Sequence, residues 1–272
     1  MSKTVLITGT SSGYGLAIAQ HFLTQGWNVA ATMRKPSATA FAKSDRLKVF
    51  PLDVTDTASI DETIAQAKDH FGGIDALINN AGIGLASAFE ATPDETIREL
   101  FDTNTFGVFA TCRAIIPLMR KQGGGTIVNV TSSAAIAPTY PLVSVYVASK
   151  CAIEGFTESV ANELLPFNIR AKLVEPGLAP TTRFGANAAT RMDGLIPHDY
   201  QDYAQRYFQK MAHYPTDYCK ETEVAAAAFE AASDGSNRLR YPAGADSELL
   251  ASLRWPTSEE AYLTRMRELF VP

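Results

Sequence analysis

The sequence predicts an α/β fold, a doubly wound parallel sheet with helices on both faces. Short apolar runs alternate with longer stretches of helical periodicity, and the runs are almost continuously apolar, as in strands that are buried on both faces. A glycine-rich turn follows the first of these runs. The 272 residues contain no evident repeat, low-complexity tract or linker, so we expect one dinucleotide-binding and catalytic domain spanning residues 1–272.

Composition excludes several classes of protein. The net charge of −5 lacks the basic surplus of a nucleic-acid-binding or membrane-surface protein, and no apolar run has the length of a membrane span. Three widely spaced cysteines indicate reduced thiols, and the N-terminus lacks a signal-peptide pattern. We therefore expect a cytoplasmic protein with no nucleic acid or membrane partner. The four histidines have no metal-site spacing, so we expect no metal.

The first βαβ unit carries a candidate phosphate site. A strand at residues 3–7 runs into a glycine-rich turn, a helix follows until Gly26, and residues 28–33 form the second strand. Glycines admit a close approach of the backbone, and a helix N-terminus offers free N–H groups with a positive dipole end. A plain strand-to-helix turn would need fewer glycines, so the G-x-x-x-G-x-G spacing favours a nucleotide site. Its candidate cofactor-binding residues are Gly9, Ser11, Ser12, Gly13, Tyr14 and Gly15.

The end of the second strand favours NADP(H) over NAD(H). Dinucleotide folds that hold a free ribose 2′-hydroxyl usually have an acidic residue here, whereas this chain has Met33 followed by Arg34 and Lys35. A guanidinium can bind a 2′-phosphate with two hydrogen bonds. A solvated Arg34 is the alternative interpretation.

The next two strands end in further candidate ligand contacts. The third strand, at residues 47–52, ends at Asp53 and Val54, and a helix follows at 57–71. The fourth, at 74–78, leads through Asn79 into Asn80, Ala81 and Gly82. Small and amide residues at the carboxyl end of a parallel strand suit contact with a ligand, although an asparagine turn would also fit.

The middle of the chain adds an asparagine and two strand ends. Residues 93–118 are predicted to be largely helical, with Asn104 in an apolar setting. A buried amide must be hydrogen-bonded, so a satisfied kink and a site role stay equally open. Strand five, at 126–130, ends in Thr131-Ser132-Ser133, and strand six, at 169–174, ends in Glu175-Pro176-Gly177.

Tyr146 and Lys150 form the central catalytic candidate. On a helix these residues are one turn apart on the same face. A nearby ammonium favours the phenolate, so we expect the tyrosine pKa to fall from about 10, which would suit general acid/base chemistry. A Tyr/Lys pair at this spacing is also common on solvated helix faces, and the pair gains meaning only from its surroundings.

The last third of the chain is less regular. Residues 178–215 are interpreted as a substrate lid, with a helical stripe at Tyr200, Tyr203, Tyr207 and Met211. A helix is expected at 221–232 and a short strand at 239–242. Residues 247–272 form a C-terminal extension with a helix at 258–270.

Taken together, these motifs resemble the single-domain short-chain dehydrogenase/reductase family with Tyr-x-x-x-Lys, over roughly residues 3–245. The family's motifs occur in its order: the glycine turn, Asn79-Asn80-Ala81-Gly82, the strand-five serine, Tyr146-x-x-x-Lys150 and Pro176-Gly177. The resemblance implies a Rossmann-like sheet and an oxidoreductase that uses a nicotinamide cofactor.

The resemblance also implies roles for individual residues. Tyr146 would be the general acid/base, and Lys150 would lower its pKa and bind the nicotinamide ribose. The strand-five serine would bind the substrate oxygen, and Asn104 would hold a water that relays protons from Lys150. The remaining contacts to the cofactor would come from Asp53 and Val54 at the adenine, Asn80 to Gly82 near its ribose, and Pro176, Gly177 and Thr181 at the carboxamide or phosphates.

Two departures from the family pattern affect these assignments. Family spacing before the tyrosine would select Ser133, but aligning the rigid strand selects Ser132 and places an extra residue in the following loop. We therefore prefer Ser132, with Ser133 second. Tyr14 replaces a small aliphatic residue of the glycine turn and would either narrow the cofactor cleft or lie against the substrate.

The expected activity is the NADP(H)-dependent interconversion of an apolar ketone or aldehyde and its alcohol. Residues near the motifs suggest an apolar substrate: Ile83, Ala134, Tyr140, Pro141, Leu142 and Val143. A non-catalytic NADP(H)-binding sensor or scaffold and an enoyl-type reductase are the alternatives. Family membership would imply a homodimer or homotetramer.

Overall fold

The computed structural model describes residues 2–37, 39, 41–179, 194–213, 216–254, 261, 264, 265, 268 and 269. Within these residues seven parallel strands form one sheet in the order β3-β2-β1-β4-β5-β6-β7, which confirms the predicted doubly wound class. The strands are β1 (Thr4–Ile7), β2 (Asn28–Met33), β3 (Leu47–Pro51), β4 (Ala76–Asn79), β5 (Gly125–Val130), β6 (Ile169–Pro176) and β7 (Arg240–Ala243).

Helices cover both faces of the sheet. Over the described residues they are α1 (Gly13–Thr24), α2 (Thr57–Phe71), α3 (Asp94–Phe101), α4 (Gly107–Gln122), α5 (Ser133–Ile136), α6 (Ser144–Leu164), α7 (His198–Met211), α8 (Glu221–Ser233) and α9 (Ala245–Arg254). Helices α1 and α8 pack on one face and α2, α4 and α6 on the other, so the strands are apolar on both sides. None of the described helices is both long and apolar enough to cross a membrane.

The predicted helix at residues 93–118 is interrupted. A single π-helical stretch at Asp102–Phe106 separates α3 from α4. Within it, Asn104 hydrogen-bonds the backbone of Ile83, and the Thr105 hydroxyl donates to the Ser149 carbonyl at 3.0 Å. These bonds to other segments hold the widened turn against α6, and such turns are frequent at functional sites.

The other differences concern the ends of elements and the C-terminal part of the chain. Strand β4 begins two residues later than expected, at Ala76. Helix α9 was not predicted, and most of the helix expected at 258–270 lies outside the described residues. In α9, Ser247 and Leu250 are fully buried, so this part of the expected extension belongs to the core.

Candidate active site

The candidate site lies at the carboxyl edge of the sheet, where the strand order reverses between β1 and β4. Here the amide nitrogen of Asn80 donates to the carbonyls of Thr8 and Gly9, at 2.9 and 3.1 Å. The Thr8 hydroxyl accepts the backbone N–H groups of Asn80 and Ala81. Asn80 therefore fastens the glycine turn to the end of β4, and the neighbouring Gly82 is exposed.

The glycine turn has the form of a phosphate cradle. A Cβ on Gly15 would lie 2.2 Å from the Gly9 carbonyl oxygen, so the turn closes only around glycine. Helix α1 begins at Gly13, and the side chain of Ser12 makes no capping hydrogen bond to it. The amides of its first turn therefore point out of the helix end beside Ser11, which is exposed. Such a set of donors fits the pyrophosphate of a dinucleotide.

Arg34 and Asp53 meet at the ends of β2 and β3. The backbone N–H of Thr55 hydrogen-bonds Asp53 and lowers the pKa of that carboxyl, and the Thr55 hydroxyl and the positive charge of Arg34 lower it further. Arg34 itself is exposed. Val54, next to Asp53, is buried.

The catalytic candidates of β5 and α6 converge. The hydroxyl of Tyr146 hydrogen-bonds the side chain of Ser132, the preferred of the two serines. Ser132 is the N-cap of α5 and accepts the N–H of Ala134 at 3.1 Å, which fixes its rotamer. Ser133 is the first residue of α5 and is 2% exposed. The hydroxyls of Tyr146 and Ser132 thus lie together at the carboxyl edge of the sheet.

Lys150 is buried one turn beyond Tyr146, and its ammonium donates to the Val130 carbonyl at 3.1 Å. Burial lowers the pKa of Lys150 to about 8, against the charge of Glu154, which raises it. The expectation that the Tyr146 pKa would fall from about 10 is wrong for this structure. Burial instead raises the pKa of Tyr146 to about 12, opposed by the hydrogen bond with Ser132.

Asn104 is fully buried and uses both ends of its amide. Its oxygen accepts the N–H of Ile83 at 2.8 Å, and its nitrogen donates to the Ile83 carbonyl and to the Ser149 hydroxyl, at 3.0 and 3.2 Å. A Cβ on Gly82 would lie 3.2 Å from the Asn104 oxygen and 3.5 Å from the Lys150 ammonium. Asn104 therefore fixes the segment after β4 close to Lys150.

Tyr14 joins the two glycine-containing loops. Its hydroxyl donates to the carbonyl of Gly177 at 3.1 Å and hydrogen-bonds the thiol of Cys219. Burial raises the pKa of Tyr14, and the neighbouring Cys219 and Tyr146 add to the effect. Tyr14 therefore bridges the glycine turn and the loop after β6, close to Tyr146.

The loop after β6 is anchored by the unpredicted helix α9. The carboxylate of Asp246 accepts the N–H of Leu178 at 2.6 Å, and a Cβ on Gly177 would lie 1.7 Å from its oxygen. Only glycine fits here. The Ser247 hydroxyl donates to the Glu175 carbonyl at 2.6 Å. Thr181 and the rest of the stretch 180–193 lie outside the described residues.

Apolar clusters surround the tyrosine. Tyr146 packs against one cluster that includes Tyr140 and Leu250 and against another with Ile83. Helix α7, in the expected lid, packs through the buried Tyr207 against Leu142. The described part of the lid is therefore joined to the loop that precedes α6.

Three polar residues behind Lys150 were missed in the sequence. Arg240 of β7 binds the carboxylates of Glu154 on α6 and Glu175 on β6, and it also binds Glu158. Sequence signals could have found two of the three. Glu154 lies four residues after Lys150, on the same helix face, and Glu175 lies at the end of an apolar strand, where its carboxyl group must be buried.

Comparison with known proteins gives consistent matches. The sequence profile for short chain dehydrogenase matches residues 3–192. Bacillus subtilis YusZ, called an uncharacterized oxidoreductase, is 36% identical over 265 residues, which cover 93% of this chain and 92% of YusZ. A 3-ketodihydrosphingosine reductase of Bacteroides thetaiotaomicron is 39% identical over 175 residues, 64% of this chain and 63% of the reductase.

Solved structures share the fold. A short-chain dehydrogenase from Streptomyces avermitilis superposes with a TM-score of 0.75 at 28% identity, covering 98% of this chain and 97% of that one. A Brucella melitensis 3-ketoacyl-(acyl-carrier-protein) reductase complexed with NADH has a TM-score of 0.73 at 26% identity, with 90% and 98% covered. ElxO with NADP bound has a TM-score of 0.74 at 25% identity, with 89% and 98% covered. Similar proteins thus bind either cofactor.

Proposed function

This chain belongs to the short-chain dehydrogenase family of oxidoreductases, which act on CH–OH or C=O groups with NAD(P), and from that premise we propose that it interconverts an apolar ketone or aldehyde and its alcohol with NADP(H). The proposal gives Tyr146 the role of general acid/base and Ser132 that of the donor to the substrate oxygen. Lys150 would bind the nicotinamide ribose, and Asn104 would hold the segment at Gly82 in place. When bound, the cofactor supplies or accepts the hydride.

The observation that carries the proposal is the hydrogen bond between Tyr146 and Ser132 beside the buried Lys150. Two hydroxyls directed at one point can bind a single carbonyl oxygen and stabilise the charge that develops on it. The Tyr146 pKa, which burial raises to about 12, keeps the phenol protonated at neutral pH. A protonated phenol can donate its proton to a carbonyl oxygen.

The substrate would be apolar because the side chains around Tyr146 are. Tyr146 packs against the cluster with Tyr140 and Leu250 and against a second cluster that Ile83 also contacts, and α7 packs against the loop that precedes α6. The reductase from Bacteroides thetaiotaomicron is named for a sphingosine-type ketone, a long-chain lipid. A carbonyl on a large apolar body is the class that these surroundings fit best.

The preference for NADP(H) would come from Arg34. This exposed guanidinium stands at the end of β2, beside Asp53, and can bind a 2′-phosphate with two hydrogen bonds. The proposed cofactor contacts otherwise follow the glycine turn, the end of β4 and Pro176-Gly177.

The reaction is tested by following nicotinamide absorbance over a panel of ketones, aldehydes and secondary alcohols. Tyr146→Phe is expected to lose at least about 100-fold in kcat because it removes the acid/base group while keeping the ring. Ser132→Ala is expected to lose a similar factor, and Ser133→Ala is the matched control that stays within a few-fold of wild type. Full turnover by Tyr146→Phe would contradict the proposal, and tight cofactor binding without any turnover would favour a sensor.

Cofactor choice is tested separately. Arg34→Ala is expected to reduce kcat/KM for NADPH by about 10- to 100-fold, with little change for NADH, since a charged hydrogen bond contributes about 1.5–3 kcal/mol. Lys35→Ala is the neighbouring control. A preference for NADH in the unaltered protein would overturn the role of Arg34 and leave the carbonyl chemistry intact.

We also propose that the described elements form one domain, with residues 178–215 as its lid and 247–272 as its extension, and that two or four copies pair through the long helices α4 and α6. Phe106, just before α4, is 56% exposed and would be covered by such pairing. Light scattering of the purified protein measures the assembly directly, and a monomer at micromolar concentration would contradict this part.

A further inference from the structure

A cluster of carboxyl groups lies behind Lys150, away from the hydroxyls of Tyr146 and Ser132. Glu154 follows Lys150 by one turn on α6 and is buried, and Glu175 on β6 is fully buried. Buried carboxyl groups are costly unless they are paired or protonated. The proposed reaction gives these two residues no role, so their placement requires a separate explanation.

Arg240 fixes the position of both carboxyl groups. One of its terminal nitrogens, Nη1, binds Glu154 and also lies 2.5 Å from Glu175, while Nη2 binds the half-exposed Glu158. The second oxygen of Glu154 accepts the Thr131 hydroxyl at 2.5 Å. Thr131 directly follows Val130, whose carbonyl accepts the ammonium of Lys150, so the cluster and Lys150 are attached to the same end of β5.

One oxygen in the cluster has no hydrogen-bond donor. Among the described side chains, Oε2 of Glu175 is buried without a partner. Glu175 contacts the carboxyl group of Glu154. Two carboxylates can only accept, so this contact becomes a hydrogen bond when one of the two groups carries a proton. A single shared proton would satisfy the orphaned oxygen and relieve the repulsion between the two groups.

We propose that Glu154 and Glu175 hold one proton between them and that this pair, fixed by Arg240, sets the charge on Lys150. Both are positioning residues that act through Lys150. Only the consequence for cofactor binding rests on the proposed function.

The electrostatics around the cluster agree with the geometry. Burial lowers the pKa of Lys150 to about 8, and the negative charge of Glu154 is what raises it again. Burial and the charge of Glu154 raise the pKa of Glu175 to about 8, against Arg240. The other titratable or charged groups around the pair are Cys151 and Glu158 on α6 and Arg254 on α9, which faces Cys151. The negative charge of Glu154 therefore favours the ammonium form of Lys150.

The first test follows Lys150 itself, in the cofactor-free protein. Lysine labelled with ¹³C at Cε reports protonation by NMR, and Lys150→Arg identifies the signal. Glu154→Gln is expected to lower the proton affinity of Lys150 by about tenfold. Glu175→Gln leaves the whole charge on Glu154 and is expected to keep or raise that affinity. Equal shifts in both variants, or none in either, would overturn the proposal.

Glu158→Gln is the matched control, because Glu158 binds the same guanidinium from a half-exposed position. It is expected to leave the Lys150 titration unchanged. A shift as large as that of Glu154→Gln would assign the effect to Arg240 alone and overturn the role of the pair.

The second test begins with the unaltered protein. Infrared spectroscopy of the wild-type protein at pH 7 is expected to show the C=O stretch of a buried protonated carboxylic acid. The band should disappear in Glu175→Gln. Its absence from the wild type would overturn the shared proton, whatever the outcome of the carbonyl assays.

A failure of the proposed function would have a different signature. If the protein turns over no carbonyl but Lys150 titrates as described, the inference stands and the reaction does not. If turnover is present, we expect NADPH binding to weaken as the pH rises, and this weakening to begin at a lower pH in Glu154→Gln than in the wild type. Glu158→Gln is expected to show the wild-type pH dependence of binding.

Discussion

Two buried ionic clusters lie on opposite faces of the β6–β7 edge. Side chains alternate along a strand, so Lys172 and Tyr241 face α8, whereas Glu175 and Arg240 face α6. In the first cluster the Lys172 ammonium binds Asp234 at 2.5 Å and the Tyr241 hydroxyl at 3.0 Å. The second cluster sets three carboxyl groups against one guanidinium.

The difference between the clusters lies in their charge balance. One ammonium faces one carboxylate in the first, and Asp234 also accepts hydrogen bonds from Tyr241 and Ser236. Burial raises the pKa of Asp234, but the hydrogen bonds from Lys172, Tyr241 and Ser236 together bring it well below its usual value. The second cluster has more carboxyl groups than cations and therefore has to take up a proton. A balanced cluster stabilises the fold, whereas an unbalanced one also responds to pH.

The largest predicted effect comes from removing the guanidinium. Arg240→Met leaves Glu154 and Glu175 buried without their cation, which we expect to cost about 3–5 kcal/mol of unfolding free energy at pH 8. The loss should shrink at pH 5, where both carboxyl groups can be protonated. Urea unfolding at the two pH values measures this, and an equal loss at both would remove the contrast with the other cluster.

Removing the ammonium of the balanced cluster should cost less. Lys172→Met is expected to lower the unfolding free energy by about 2 kcal/mol, because Asp234 is partly exposed and keeps its other donors. The loss should be the same at pH 5 and pH 8, since the pKa of Asp234 is lowered. The titration of Lys150 should be unchanged in this variant. A shift in it would show that the two clusters are electrostatically coupled.

A third prediction concerns the pH dependence of stability. Burial raises the pKa of Glu175 to about 8, so between pH 5 and 8 the folded protein holds a proton that the unfolded chain releases. Stability therefore falls as pH rises through this range, by at most about 1.4 kcal/mol per pH unit. Glu175→Gln should remove this slope in urea titrations and should be the more stable form at pH 8. An unchanged slope would contradict the raised pKa.

The smallest effect is expected at Glu158. Its side chain is 52% exposed, so its ion pair with Arg240 is screened by solvent. Glu158→Gln should change the unfolding free energy by at most about 1 kcal/mol. A loss comparable with that of Arg240→Met would show that the buried carboxyl groups are not what the guanidinium stabilises.

The sequence was sufficient for most of the sheet. Apolar runs and glycine turns are local signals, and helix α2 has the ends that its helical spacing predicted; in the structure Asp56 caps its start and Gly72 ends it. The four-residue spacing likewise places Tyr146 and Lys150 on the same face of a helix. Ser132 was preferred over Ser133 because the rigid strand was aligned first and the extra residue was placed in the following loop. In the structure the side chain of Ser132 hydrogen-bonds Tyr146.

What escaped prediction depends on contacts distant in sequence. The raised pKa of Tyr146 reflects burial by segments that the Tyr-x-x-x-Lys motif does not contain. Glu154 and Arg240 are 86 residues apart, and no local pattern links them. The π-helical turn at Asn104 likewise follows from its bonds to Ile83, 21 residues away. Such pairings become visible only when the sheet brings the strands together.

The anchoring of Leu178 by Asp246 has a consequence for synthesis of the protein. The two residues are 68 positions apart, and Asp246 is made after the whole of the sheet up to β7. At about 5–20 residues per second a ribosome needs roughly 3–14 s to cover that distance. During this interval the nascent chain holds the Tyr146–Lys150 helix but lacks the carboxylate that fixes the Pro176-Gly177 loop. The cleft is therefore completed late in translation, after its hydroxyl pair and its lysine have already been made.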